Sequence, residues 1–288
     1  MTFLKNNTFR ILQILLWAVF VAALVIAFRT RSTTTEASGD VRIDFLKTAD
    51  DADCIIMWQD GAAVMIDTGE KQDGDYILEA LDKRGIKSLD YLLLTHNDKD
   101  HTGSALEIVK NVEVKCVIES PYAETNERIE KLNAYLKENG IRIMYPTHNK
   151  RINAGEMYFN IYPPNKTQYE DKNNYSIAML LKHGSVNCLF TGDTLKKRDE
   201  ELLMIDWPEI EIFKVPYHGR ACSLSDELFE AVSPRYGVVT SDKADEEIIK
   251  AADSVDTKLM YTREGDVCFV SDGSRVKPVE QAAETKNE

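Results

Sequence analysis

The sequence predicts a layered α/β fold, with two strand-rich halves that are each followed by helices, preceded by one transmembrane helix. Three observations carry that reading. Short apolar runs of strand character alternate with helical stretches through residues 41–276. Four of those runs deliver an acid or a histidine, beside a glycine, to the loop that follows. Ile11 to Phe28 is an 18-residue run interrupted only by Gln13, and as a helix it would span about 27 Å, enough for a bilayer's hydrocarbon core.

The chain divides accordingly into an N-terminal membrane anchor (1–31), a polar Ser/Thr-rich linker (32–40), one catalytic body (41–276) and a polar tail (277–288). The apolar run exceeds the roughly 7–15 residues of a cleaved signal, and Thr35-Glu36-Ala37 is a poor cleavage site. An uncleaved, single-pass anchor in the cell membrane is expected. Lys5 and Arg10 precede the run and Arg29 and Arg31 follow it, so basic residues do not orient it. The short flank ahead of a large C-terminal domain favours an extracytoplasmic body.

Net charge is −13, and removing the four basic residues of the anchor leaves 31 basic against 48 acidic residues, or −17, on the remainder. Such a field repels polyanions, which counts against a strong DNA binder though not against a phosphodiesterase. Five cysteines lie scattered. Cys54, Cys116, Cys188 and Cys268 fall in apolar runs and read as buried hydrophobes rather than a disulfide framework. Cys222 reads as a loop thiol near His218. Nothing fixes an oligomeric state, and no organic cofactor is expected.

In chain order, Val41–Leu46, Cys54–Trp58 and Ala62–Ile66 read as strands, the last ending in Asp67-Thr68-Gly69. Asp75–Lys83 is helical. Tyr91–Leu94 is a short buried strand handing over at Thr95 to Gly103, after which Ser104–Val109 is an amphipathic helix. Val114–Glu119 is a strand, and Glu124–Asn139 a helix with a stop at Gly140. Strands follow at Ile141–Tyr145, Met157–Tyr162 and Tyr175–Lys182, the last turning through His183-Gly184-Ser185 into Val186–Phe190. Leu195–Leu203 is a helix, Glu211–Val215 a strand, Asp226–Ala231 a helix, Tyr236–Thr240 a strand and Ala244–Ala252 a helix. Lys258–Tyr261 and Val267–Val270 read as a closing strand pair.

Thr95 to Gly103 carries the chemistry. His96, Asp98, Asp100 and His101 lie within six residues directly after an apolar strand and include two of the chain's five histidines. Imidazole with carboxylate suits zinc or manganese. Four such groups on one loop can converge on two ions. Asp67, Asp193 (in Thr191-Gly192-Asp193) and His218 (in Pro216-Tyr217-His218-Gly219) end other strands in the same way, so four strand ends can meet at one edge of a sheet sandwich. Asp67 also reads as an ordinary turn residue, and His148 and His183 read as exposed turn histidines.

Taken together, Leu93–Gly103, Asn173–Ser176, Leu189–Asp193, Lys214–Gly219 and the closing Tyr261–Val267 with Ser271-Asp272-Gly273 resemble the metallo-β-lactamase superfamily. Within it they resemble the hydrolase domain of the ComEC competence channel and its free-standing relatives, over residues 41 to about 273. The resemblance implies an αββα sandwich holding two divalent metal ions (zinc, or manganese). His96 and Asp98 would hold the first, Asp100, His101 and His218 the second, and Asp193 would bridge them. Asp100, Asp193 and His218 would be the catalytic residues. Asp98 stands where the wider superfamily has histidine, as in the ComEC-like branch, and Asn173 matches that branch's asparagine. The first site thus keeps fewer strong donors and favours a harder ion. Tyr217 and Arg220 depart from the branch's usual histidine and serine; either can donate to a phosphate oxygen or simply line the rim. Asp67 would orient the metal loop by hydrogen bonds.

The expected activity is phosphodiester hydrolysis by a metal-bridging hydroxide, since two ions about 3.5–4 Å apart lower the pKa of a shared water. The substrate is nucleic acid by analogy with the competence channel, or a cell-surface phosphodiester such as a teichoic-acid substituent. β-Lactam hydrolysis is disfavoured because the first site lacks a three-histidine set. The competing class is a degenerate fold serving as a non-catalytic binding or sensor module in DNA uptake or at the envelope. Asn173 and Tyr217 motivate it, and the six retained ligands argue against it.

Overall fold

Several strands bury both faces, so their side chains must be divided between two apolar layers. In Ala62–Ile66, Val64 and Ile66 turn one way and Ala63 and Met65 the other; in Val186–Phe190, Val186, Cys188 and Phe190 oppose Leu189. Two sheets therefore pack face to face and each carries helices outside, the αββα arrangement expected. A computed structural model describes residues 39–279. The apolar run at 11–28 and the tail beyond 279 lie outside the described residues, and among those described no helix is long and apolar enough to cross a membrane.

The strands in order are β1 (Val41–Phe45), β2 (Ile55–Gln59), β3 (Ala62–Ile66), β4 (Ser88–Leu89), β5 (Tyr91–Leu94), β6 (Glu113–Val114), β7 (Cys116–Glu119) and β8 (Arg142–Met144). Then come β9 (Lys150–Ala154), β10 (Met157–Tyr162), β11 (Ala178–His183), β12 (Val186–Phe190), β13 (Ile212–Lys214), β14 (Tyr236–Val239), β15 (Lys258–Tyr261), β16 (Val267–Ser271) and β17 (Val276–Val279). One sheet runs β17-β16-β1-β2-β3-β5-β7-β8 and the other β15-β14-β13-β12-β11-β10-β9, with β4 and β6 pairing alone. Helices α1 (Gly74–Lys83), α2 (Lys99–Thr102), α3 (Ala105–Asn111) and α4 (Glu127–Glu138) fall in the first half, and α5 (Lys196–Leu202), α6 (Ser225–Val232) and α7 (Glu246–Ser254) in the second. Phe45, Phe159, Phe190 and Phe269 fill the space between sheets.

Parallel pairing is what positions the site. Strands β3, β5 and β7 are parallel in one sheet, and β12, β13 and β14 in the other. Their carboxy ends therefore open on one edge, where chemistry collects in such sheets. Asp67, Thr95, Asp193 and Val215 each follow the last residues of one of these strands.

Several boundaries differ from the sequence reading. Lys258–Tyr261 and Val267–Val270 do not pair: β15 joins β14 in one sheet and β16 joins β1 in the other. Adjacency in sequence favoured a hairpin, whereas burial of both apolar faces sends the chain across the sandwich. The body does not end at 276, because β17 pairs with β16 through Val279. The run at 114–119 splits at Lys115, its first residue, Val114, pairing with β4 together with Glu113. Residues 172–175 form a 3₁₀ turn, so β11 starts only at Ala178. Helix α4 starts after Asn126, whose side chain accepts the amides of Arg128 and Ile129. His183 is buried rather than exposed, its Nδ1 2.8 Å from Ser271 Oγ across the two sheets. His148 is exposed as read. All five cysteines are free, with Cys268 and Cys222 only half-buried; the Cys222 thiol donates to Asp199.

Phe45 tests the inter-sheet core, with ring centroids 6.0 Å from Phe190 and 6.2 Å from Phe269. Phe45→Ala is expected to cost about 3–5 kcal/mol, read as a lowered midpoint of urea unfolding.

Candidate metal centre

Two turns hold the loop after β5. Asp67 sits in the left-handed region (φ 58°), which folds its carboxylate back so that it accepts the Thr95 amide (2.8 Å), the Thr95 hydroxyl (2.7 Å) and His101 Nδ1 (2.8 Å). The carbonyl of His101 accepts from Thr68 N, and that of Asp100 accepts from Asp53 N. Gly103 completes the fit: a Cβ there would stand 2.4 Å from the Glu70 carbonyl carbon. Asp98 is thereby left on the approach to α2, with Asp100 and His101 within that helical turn.

The other half of the site comes from β12 and β13. Asp193 follows Gly192, whose φ of 62° and close approach to Thr95 exclude a side chain. Tyr217 (φ 50°) and His218 (φ 53°) are consecutive left-handed residues, a strain on the order of 1–3 kcal/mol each. His218 is held there by its Nδ1, which donates to Thr240 Oγ1 (3.0 Å) because the Thr240 hydroxyl itself donates to Asp53 (2.6 Å).

These constraints bring four expected ligands together. Asp100, His101, Asp193 and His218 each place a ligand atom within 4.8 Å of the others. His218 Nε2 lies 2.9 Å from Asp193 Oδ2 and 3.3 Å from Asp100 Oδ2, and His101 Nε2 lies 3.2 Å from Asp193 Oδ2. Neither Nε2 makes a hydrogen bond, although both atoms are buried. With Nδ1 of each ring committed to Asp67 or Thr240, Nε2 is the atom aimed into the site. Two buried, unpartnered imidazole nitrogens facing two carboxylates are a donor set that fits a divalent cation.

His96 and Asp98 lie beside this group rather than within it. The His96 ring is 4.2 Å, centroid to centroid, from that of His101, and its Nε2 is 3.8 Å from Asp98 Oδ2. The Asp98 carboxylate is taken by Lys172 at 2.8 Å. Asn173 is buried in the 3₁₀ turn beside that lysine. Arg220 lies over the Tyr217 ring and pairs with Asp51 at 2.7 Å, both exposed. A cleft of about 570 Å³ lined by Asp100, Lys99, Arg220, Lys47 and Arg263, among others, opens on one side. A second, of about 520 Å³, takes in Asp98, Lys172 and Arg128.

The residues that sequence reasoning missed are Asp53, Lys214 and Thr240. Lys214 is fully buried, with Nζ 2.6 Å from Asp53 Oδ2, 3.0 Å from Asp193 Oδ1 and 3.0 Å from the Gly192 carbonyl. A lysine inside the otherwise apolar Ile212–Val215 was the available signal.

Charge follows geometry. Burial would raise the Asp193 carboxyl, but His218, Lys214 and His101 hold it well below the ordinary carboxylate range. Burial disfavours the charged His218 ring, yet Asp193 and Asp53 lift it to about 10; His101 is raised likewise, chiefly by Asp193 and Asp67 against burial. Burial, then the nearby His101, pushes His96 down to about 3. A metal must therefore displace protons from Nε2 of His101 and His218. Because His218 is raised in the fold, its contribution to chelated protein is complete below an unfolded value of about 6.5 and is lost as pH rises through about 10. Chelated protein is expected to lose melting temperature across that interval, and zinc affinity is expected to rise with pH, with proton release read by calorimetry in buffers of different ionisation enthalpy.

Comparison with known proteins agrees with this geometry. Residues 48–240 match the Metallo-beta-lactamase superfamily domain. ComE operon protein 3 of Bacillus subtilis is 28% identical over 198 residues, 62% of this chain and 25% of that protein. Recombination protein 2 of Haemophilus influenzae is 25% identical over 246 residues, 83% of this chain and 28% of that protein. The chain thus spans about a quarter of the length of these relatives. Among solved structures, the metallo-beta-lactamase fold protein YhfI of Bacillus subtilis superposes with a TM-score of 0.56 at 10% identity, covering 81% of this chain and 100% of that one. Igni18, a metallo hydrolase of Ignicoccus hospitalis, gives 0.52 at 14%, covering 84% and 100%. The fold, the clustered ligands and the match across two-thirds of its length agree: this chain belongs to the metallo-beta-lactamase superfamily.

Proposed function

We propose that the chain is a membrane-anchored, metal-dependent phosphodiesterase, with residues 11–28 as a single-pass anchor and the catalytic body outside the cytoplasm. The observation that carries the hydrolase reading is the pair of unpartnered Nε2 atoms facing Asp100 and Asp193. Asp100, His101, His218 and Asp193 would hold one cation, and His96, Asp98 and Asp193 a second, zinc or manganese. When bound, such ions supply Lewis acidity and a water of lowered pKa.

The chain's own groups supply orientation and charge. Asp67 and Thr240 fix the Nδ1 protons of His101 and His218, so each ring can present only Nε2. Asp100 is opposed by burial but held down to about 2, chiefly by the adjoining His218 and by the charge of His101, so it stays ionised and accepts rather than donates a proton. It also lines the larger cleft, where Arg220, Lys99, Lys47 and Arg263 can receive non-reacting phosphate oxygens. Tyr217 supports the Arg220 guanidinium from beneath. Acids interleave these cations, notably Asp50, Asp51 and Glu70, so a backbone of evenly spaced phosphates meets local attraction within a repelling field. Nucleic acid is the preferred substrate because the relatives include a protein named for recombination; a cell-surface phosphodiester fits the same groups.

A second reading, a non-catalytic binding or sensor module, is favoured by Lys172 on Asp98 and by Asn173 where a histidine would complete the first site. The two part on turnover. Full-length chain with added zinc or manganese is expected to hydrolyse bis-p-nitrophenyl phosphate, and Asp193→Ala is expected to lower turnover by at least about 100-fold. Absence of bound metal and of turnover in the wild type would favour the binding module.

A further inference from the structure

Lys214 and Asp53 are buried charges that the proposed reaction does not use. Both are about 1% exposed, and both lie where the two sheets meet. Lys214 ends β13 on the side of Ile212, facing the inter-sheet core. Asp53 precedes β2 in the other sheet. The ammonium has three donors and three acceptors within reach: Asp53 Oδ2, Asp193 Oδ1 and the Gly192 carbonyl. Asp193 therefore has one oxygen committed to lysine, and only Oδ2 remains to face His101 and His218.

Asp53 makes an equally complete set. Its Oδ2 binds Lys214, and its Oδ1 accepts the Thr240 hydroxyl and lies 3.3 Å from His218 Nδ1, which Thr240 also receives. Its amide donates to the Asp100 carbonyl and its carbonyl accepts from Gly69 N. One residue thus touches the loop bearing Asp100 and His101 in one sheet and, through Lys214 and Thr240, Asp193 and His218 in the other. A misplacement of the two half-sites by fractions of an ångström is enough to spoil a coordination geometry.

We infer that Asp53 and Lys214 are positioning residues that set the register between the two half-sites and restrict Asp193 to coordination through Oδ2. This rests on the reading of the site as a metal centre. It assigns a role to two residues outside the proposed ligand set.

The test is a chelator-competition titration of full-length chain with zinc, together with the visible spectrum of the cobalt(II) form, for wild type, Asp53→Asn/Lys214→Met and Thr240→Val. The double variant removes both charges at once, so neither is stranded in the core. Folding is checked by circular dichroism. Zinc affinity is expected to fall about 100-fold in the double variant and about 10-fold in Thr240→Val, each with a changed cobalt ligand-field band. A folded double variant with zinc affinity within threefold of wild type and the same cobalt spectrum would overturn the inference and leave the metal-site reading standing. Should the double variant not fold, Asp53→Asn alone decides, since Lys214 keeps Asp193 as its partner: unchanged affinity and spectrum overturn the inference, and a weakened, spectrally altered site supports it. A wild type that binds neither zinc nor cobalt would instead sink the metal reading, and this inference with it.

Discussion

Like charge at close quarters is the constraint around which this molecule is built. Asp53, Asp67 and Asp193 are almost wholly buried, and Asp100 stands at the rim of the same space. Burying a carboxylate costs several kcal/mol unless something compensates it. Lys214 serves Asp53 and Asp193, while Thr95 and the His101 ring serve Asp67. What remains is negative charge from Asp193 Oδ2 and Asp100 converging on two imidazole nitrogens. Protons on His101 and His218 satisfy it in one state and a divalent cation would satisfy it in another, so the same geometry that raises the histidines also suits a metal.

The fold supplies what that cluster cannot supply for itself. Parallel strands in both sheets deliver their ligands to one edge, and the large apolar interior between sheets keeps the supporting charges out of water. Part of the backbone strain falls at the site, and part at Asp60, Ser233 and Asp256 away from it. Asp67, Tyr217 and His218 are all non-glycine residues with positive φ, and each is fixed by a contact that a relaxed backbone would lose: Asp67 by Thr95 and His101, His218 by Thr240, and Tyr217 by the Arg220 above it. Lys172 on Asp98 marks the difference between the two groups, which are otherwise alike in burial: each sets buried histidine beside one carboxylate at the rim, Asp98 at 19% and Asp100 at 23% exposed.

Much of this was legible in the sequence, for physical reasons. A glycine or an acid directly after an apolar run has little to do in a core and much to do at a strand end, so the loop at His96 and the turns at Asp67, Asp193 and His218 announced themselves. Strands buried on both faces, such as β3 and β5, read as unbroken apolar runs, and these together with β10, β12 and β15 came out at their observed limits. Pairing was less legible: β15 and β16 are adjacent in sequence but belong to different sheets, and nothing local to either says so. Lys-His-Gly looked like a turn, although His183 closes a strand inward onto Ser271. Asp53 was invisible because it resembles a surface residue until Lys214, more than 160 positions away, is brought beside it; of the pair, only the lysine inside an apolar strand carried a signal.

The most direct test of the central claim is anomalous diffraction from crystals of zinc-loaded protein at the zinc edge. The expected result is two peaks about 3.5–4 Å apart, one against Asp100, His101 and His218 and the other against His96 and Asp98, with Asp193 between them. A single peak at the Asp100–His218 group would contradict the two-metal account, and no peak near either group would contradict the metal centre altogether.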